Sequence, residues 1–401
     1  MNPLPTLVRP QGGEPLSLSG GKSSTQIIAD IETFAEALDL RTSGHIINVK
    51  ADYGAVGNGT TNDATALQNA INAVPAGGGI VFFPQGSYRT NVGLTVAQSS
   101  VTFMGVGWDS NNIVLGSAIK TGAAMTDLLN VTGAGFRFVN MSLQSGGNAT
   151  NCLTVSGRSP RILDAWFRQP TATAINIQTG ASQAHIRGVR IENVNQAASV
   201  GILINDADCV ISGTSVTTCE TGIKILTAGT GAQIVGGCQI AAGTTVGMNN
   251  IWVSGSPSNI TISDCQLRDV KLGSPIQLDI TATCKNYIIS DNVIQAVNIN
   301  DNLYAGIGID TTTTTAKGMK FSDNIIVSGA SNKRLTYGLS AQTRGGGVAA
   351  NPNLISGLGT SFVGNTIYAT NTGFGNSGTP LISRDNIYTA NETSYVAMAE
   401  V

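Results

Sequence analysis

One hexapeptide shape returns nine times along this chain, and that repetition constrains the fold more than any other feature. Aligned on an aliphatic or aromatic residue, a small polar residue or glycine two places on, and an apolar residue three later, the copies are FVNMSL (138–143), ILDAWF (162–167), IRGVRI (186–191), ISGTSV (211–216), VGGCQI (235–240), ISDCQL (262–267), ISDNVI (289–294), FSDNII (321–326) and FVGNTI (362–367). Successive copies are 24–27 residues apart at first, and further apart later. A second apolar element falls between them, as AINI (174–177), GILI (201–204), GIKI (222–225) and GIGI (306–309). A repeat of this length is one supersecondary unit that cannot bury its own apolar side chains, so copies must stack. The expected class is all-β, a single-stranded right-handed parallel β-helix with three strands per coil and adjacent coils about 4.8 Å apart.

The same alignment assigns roles inside the motif. Its third column reads Asn140, Asp164, Gly188, Gly213, Gly237, Asp264, Asp291, Asp323 and Gly364. Asn, Asp and Gly share tolerance of left-handed backbone and tight turns. Asp291, beside Asn292, is therefore read as a corner rather than as a catalytic carboxylate. The fourth column, with Cys238, Cys265, Asn292, Asn324 and Asn365, reads as a stacked polar ladder. Cys238 and Cys265 fall in neighbouring coils, as free thiols in preference to a disulfide.

Composition agrees with many short strands. Charged residues are 11% of the chain, against about 25% in ordinary globular domains, and Gly numbers 49 of 401. The net charge of −2 gives no electrostatic reason to bind nucleic acid. No apolar run is long enough to span a membrane. The six cysteines lack zinc-site spacing, and no cofactor or metal is expected. MNPLPTLVRPQGGEP lacks the apolar core of a secretory signal, which fits a chain made in a cytoplasm.

The first 22 residues, rich in Pro and Gly, read as an extended arm. In SSTQIIADIETFAEALDL (23–40) the residues Ile27, Ile28, Ile31, Phe34, Ala35 and Leu38 fall on one helical face, with Ser24 or Thr25 as cap. That face packs either on its own domain or on a partner. Next come YGAVGNGTTNDATALQNAI (53–71) and GGGIVFFPQGSY (77–88). In the first, Asn62 is placed to cap a helix with Ala66, Leu67, Ala70, Ile71 and Val74 on one side. In the second, an apolar strand stops at Pro84. Order and spacing of the two segments resemble the opening of the pectate-lyase-like parallel β-helix superfamily, over about forty residues. The resemblance implies that the helix covers the open end of the solenoid, where bare strand edges would otherwise invite pairing.

Chemistry is sought outside the corner column. Asp279 in IQLDI and Asp310 in GIGID follow the second apolar element at equivalent places, with Gln178 and Asn205 earlier in that column. Two stacked carboxylates repel, so one can keep its proton near neutral pH, and an acid with a nucleophile or base is the minimum for glycosidic cleavage. The alternative is a pair of solvated strand ends. A second cluster comprises Glu192, Asp206, Asp208 and Glu220 with Arg168, Arg187 and Arg190; it is either a face that holds or cuts a glycan, with Glu192 and Glu220 as further candidate catalytic carboxylates, or an ordinary ion-pair patch. Trp166, next to inward Phe167, is expected to face outward. With Trp252 it is a candidate sugar platform, or else a residue buried between subunits. The Asn-Thr-Asp, Asp-Asp and Gly-His-Gly set of polygalacturonases is absent. So is a lyase-like calcium cluster, and the two histidines, His45 and His185, support no triad.

The whole layout resembles bacteriophage tailspike and tail-fibre proteins: arm and helix (1–47), cap (48–93), β-helix (94–370), last coil and tail (371–401). The resemblance implies a homotrimer carried on the virion, docked to phage tail proteins through residues 1–40. Its walls would recognise, and in many members cleave, bacterial capsule or lipopolysaccharide. A non-catalytic adhesin and a free polysaccharide lyase or hydrolase are the other readings.

Overall fold

The computed structural model describes residues 46–108, 116–192, 198–242, 248–270, 273–280, 285–296, 305–311 and 317–328. It also describes short strands at 7–8, 17–18, 337–341, 361–363, 366–369, 374–375, 382–384 and 387–390. The amphipathic segment expected at 23–40 lies outside the described residues.

The chain winds into a parallel β-solenoid with three walls. Each full coil gives one strand to each wall, as in Arg161–Leu163 (sheet A), Trp166–Arg168 (sheet B) and Thr173–Ile177 (sheet C). Among the described residues the three sheets hold 13, 13 and 11 strands. The register reproduces the alignment of the hexapeptides in every copy but the fifth, where Ile234 and not Val235 takes the first position and the corner holds one extra residue, Gly236. Phe138, Ile162, Ile186, Ile211, Ile234, Ile262, Ile289, Phe321 and Phe362 pair one above another in sheet A. Leu143, Phe167, Ile191, Val216, Ile240, Leu267, Ile294, Ile326 and Ile367 do so in sheet B. As far as Phe321 and Ile326 these columns, with Ile175, Ile202, Ile223 and Ile251 of sheet C, form one continuous apolar core. Burial of such side chains is worth about 1.5–3 kcal/mol each, and every coil relies on its neighbours for it.

The corner between sheets A and B is the expected one. Asn140, Asp164, Gly188, Gly213, Gly237, Asp264, Asp291 and Asp323 all have φ between +49° and +80°. The adjoining column points inward and is fully buried: Cys238, Cys265, Asn292 and Asn324. The Asn292 amide donates to Ile262 O (2.9 Å) and Asn324 Oδ1 (3.0 Å), and its Oδ1 accepts from Cys265 N (3.1 Å). Cys238 and Cys265 are free thiols, and the hydrogen bond to Cys238 together with burial pushes the Cys265 thiol up. A second corner, between sheets C and A, follows the same backbone rule with a less uniform set of residues. Ser100, Gly135, Ser159, Gln183, Asp208, Gly231, Asn259 and Asn286 have φ between +56° and +78°.

The cap helix runs Ala64–Asn72 and buries Ala64, Leu67, Ala70 and Ile71. Its N-cap is Asp63 rather than Asn62. Asp63 makes no side-chain cap bond; its carboxylate accepts instead from Val56 N (2.7 Å) and Gly57 N (3.0 Å), tying the Gly turn to the helix start. Gln68 mimics a strand: its Nε2 donates to Thr95 O (2.9 Å) and its Oε1 accepts from Thr95 N (3.0 Å). The first strand of sheet C, Leu94–Val96, is thereby covered where no coil precedes it.

Candidate functional site

Strand alternation on sheet C decides which side chains face out. In Asn249–Ser254 the residues Ile251 and Val253 enter the core, so Trp252 faces outward. The same column carries Leu203, Lys224, Trp252, Gln277 and Gly308 in successive coils. The next column outward contains Ser254, Asp279 and Asp310. Asp279 and Asp310 are thus register partners, as the alignment places them; the Asp310 side chain lies outside what is described.

These columns meet in a polar cluster. Lys224 Nζ sits 3.7 Å from the Trp252 ring centroid, a cation–π contact. The same ring donates through Nε1 to Asp279 Oδ2 (2.6 Å), and Gln277 Nε2 donates to Asp279 Oδ1 (2.8 Å). Two donors hold the carboxylate in one orientation. A Cβ at Gly308 would lie 2.6 Å from both Gln277 Oε1 and Ser274 Oγ, so the glycine leaves Gln277 room to hold Asp279. The arrangement presents a half-covered aromatic face, a cation and a pre-oriented carboxylate on one wall. An aromatic face stacks on the C–H face of a sugar, and a held carboxylate can accept a hydroxyl or a proton. Lys224 and Gln277 are not obvious in the sequence, although both stand in the Trp252 column once GIKI, NIWV and IQLD are aligned.

The second predicted cluster separates. Trp166, Arg168, Arg190 and Glu192 do come together on sheet B, where Trp166 pairs with Arg190 and Arg168 with Glu192. The Arg168 guanidinium lies 5.2 Å from the Trp166 ring, and Arg190 bonds Glu192. Trp166 is not the exposed platform expected. It is only 1% exposed, because Trp108 covers it with ring centroids 6.0 Å apart. Arg187 projects from sheet A, on another wall. Asp206 accepts from Gly180 N (2.5 Å) and Ala207 N (2.7 Å), and Asp208 is a corner residue at φ +58°. Glu220 accepts from Ala198 N (2.5 Å). Asp206 and Glu220 thus bind backbone, and Asp208 stands at a corner. A carboxylate missed in the sequence, Asp127, also lies on sheet C, accepting from Asn151 Nδ2 (2.8 Å) and from the Thr154 hydroxyl.

The family model for "Rhamnogalacturonase A/epimerase, pectate lyase-like" proteins matches residues 46–307. Among curated relatives, mannuronan C5-epimerase AlgE3 of Azotobacter vinelandii is 33% identical over 127 residues, covering 30% of this chain and 6% of the relative. Alginate lyase 7 of the same organism is 41% identical over 75 residues, covering 17% and 9%. The chain therefore spans less than a tenth of the length of either relative. The A-module of the Azotobacter vinelandii epimerase AlgE6 superposes with a TM-score of 0.57 at 16% identity, covering 86% of this chain and 100% of the module. The Dettilon tailspike superposes at 0.54 with 13% identity, covering 85% and 68%. Both superpositions share the solenoid fold. The chain belongs to the rhamnogalacturonase A/epimerase family of pectate-lyase-like parallel β-helix proteins.

Proposed function

We propose that this chain engages an extended polysaccharide along the outer face of sheet C, with Trp252 as the stacking platform and Asp279 as the acid–base group. One observation carries the reading: Asp279 is held by Trp252 Nε1 and Gln277 Nε2 on a wall where Lys224 lies over the same ring. Asp310, one strand on, supplies the second carboxylate that glycosidic cleavage calls for. The biological setting we propose is a homotrimeric phage tailspike, docked through residues 1–40, with a host capsule or lipopolysaccharide as its glycan. The order of arm, cap and solenoid motivates this setting, and the tailspike neighbour adds the shared fold.

A second reading is a polysaccharide-modifying enzyme outside a virion, favoured by relatives named as mannuronan C5-epimerases and an alginate lyase. Chemistry on uronate sugars can begin with proton removal by a fixed base, a role open to Asp279.

Incubation with capsule, lipopolysaccharide, mannuronan and polygalacturonate separates the two, with assays for reducing ends and unsaturated sugars. Cleavage or binding of host surface glycan by a trimer supports the spike. Action on uronan alone by a 41.2 kDa monomer supports the enzyme. Unchanged binding and turnover in both Asp279→Asn and Trp252→Ala would remove sheet C from the account.

A further inference from the structure

The outer face of sheet A carries a row of basic side chains that the sheet C site does not use. Arg137, Arg161 and His185 are register partners in three successive strands, and all three are exposed. Arg158, in the corner before Arg161, and Arg187, two residues after His185, are exposed beside them. Among the described residues the ion pairs join Arg190 to Glu192 and Arg268 to Asp269, so none of these four guanidiniums is neutralised by a carboxylate within 4.0 Å. The carboxylates that border the row are Asp164 and Asp208, each at a corner; Asp206 spends both oxygens on backbone N–H groups. Four guanidiniums against two carboxylates make this a local positive field on a chain whose net charge is −2.

The neighbouring column on the same face is apolar. Phe82, Met104, Val139 and Leu163 pair in register and lead to Arg187. Met104 is 36% exposed. The wall thus offers a cationic row and an apolar row side by side, both parallel to the solenoid axis. The rows repeat at the strand spacing of about 4.8 Å, close to the advance of one sugar in an extended chain. Guanidinium is the side chain best suited to bind carboxylates in pairs of hydrogen bonds.

We infer that sheet A is a second glycan-binding face, for a carboxylate-bearing acidic polysaccharide lying along the axis. Its carboxylates meet Arg137, Arg161 and Arg187, and its C–H faces lie on Met104, Val139 and Leu163. The inference assumes that the chain handles polysaccharide, but it does not depend on sheet C being the reactive wall.

Affinity electrophoresis in gels containing polygalacturonate, or its carboxyl-reduced neutral form, tests this. The background is full-length Trp252→Ala, so that the sheet C platform makes no contribution. The parent should be retarded by polygalacturonate and not by the neutral polymer. Adding Arg137→Gln and Arg161→Gln should weaken binding about tenfold, the sum of two exposed charge contacts, and flatten its salt dependence. Circular dichroism should be unchanged, since both side chains are on the surface. Equal retardation by the neutral polymer, stronger binding to heparin than to polygalacturonate, or full binding by the arginine variants would overturn the inference. A change of oligomeric state on Arg161→Glu would also overturn it, by assigning the face to a second copy of the chain. Loss of all Trp252 dependence elsewhere would strike the sheet C site and leave this one standing.

Discussion

Asn292 and Asp291 are adjacent, and the structure gives them opposite importance from what their chemistry suggests. Asn292 is fully buried and makes three side-chain bonds, to Ile262 O, Asn324 Oδ1 and Cys265 N. Replacing it with Ala removes all three and leaves buried backbone groups short of a partner. At about 1 kcal/mol per bond, with a further contribution from the void, Asn292→Ala should cost about 3–4 kcal/mol. Asp291 stands at φ +59°, and no side-chain hydrogen bond from it is needed for the corner. Asp291→Ala places a Cβ residue without local hydrogen bonding in the left-handed region, a cost of about 1–2 kcal/mol. Asp291→Gly relieves that constraint and should leave stability within about 1 kcal/mol of the parent. Urea unfolding followed by circular dichroism and tryptophan fluorescence gives the ranking. Asp291→Ala costing more than Asn292→Ala would refute the assignment of corner and ladder. So would loss of polysaccharide binding in Asp291→Gly with stability intact.

Other outcomes follow from single contacts. Gly308→Ala should displace Gln277, because the new Cβ meets its Oε1 at 2.6 Å; glycan affinity should fall while the melting temperature moves little. Leu67→Ala, at a fully buried position of the cap helix, should cost about 2–5 kcal/mol, read as an earlier thermal transition. Burial pushes the Cys152 and Cys209 thiols up to about 12 from 9.0. Both should therefore resist a thiol reagent at pH 8 until the protein is unfolded. The unfolded thiols ionise first, so the stability these groups contribute is complete below pH 9 and is lost as pH rises towards 12. A denaturation midpoint that stays flat across that window would count against their burial.

The sheet A and B columns were legible because their residues repeat in kind as well as in place. The Phe138-to-Phe362 column is entirely aliphatic or aromatic, and its corner is entirely Asn, Asp or Gly. The corner between sheets C and A was hidden because the same backbone conformation is filled by Ser, Gln, Asp, Gly and Asn in turn. That is why Asp208 looked like a ligand. Trp166 was misread because periodicity gives the direction of a side chain but not what lies over it, and Trp108 arrives from a distant part of the sequence. Asp279 and Asp310 were legible as neighbours through the coil repeat. The partners that fix Asp279 came from other columns, and side-chain reach across columns leaves no periodic trace.

The most direct test of the account is the affinity of Trp252→Ala relative to the parent, by isothermal titration, for whichever surface or uronan polysaccharide the parent binds. The stacking platform predicts a loss of about tenfold to a hundredfold, the worth of one aromatic contact with its linked carboxylate. An unchanged affinity, with the solenoid intact by circular dichroism, would contradict the placement of the glycan on sheet C.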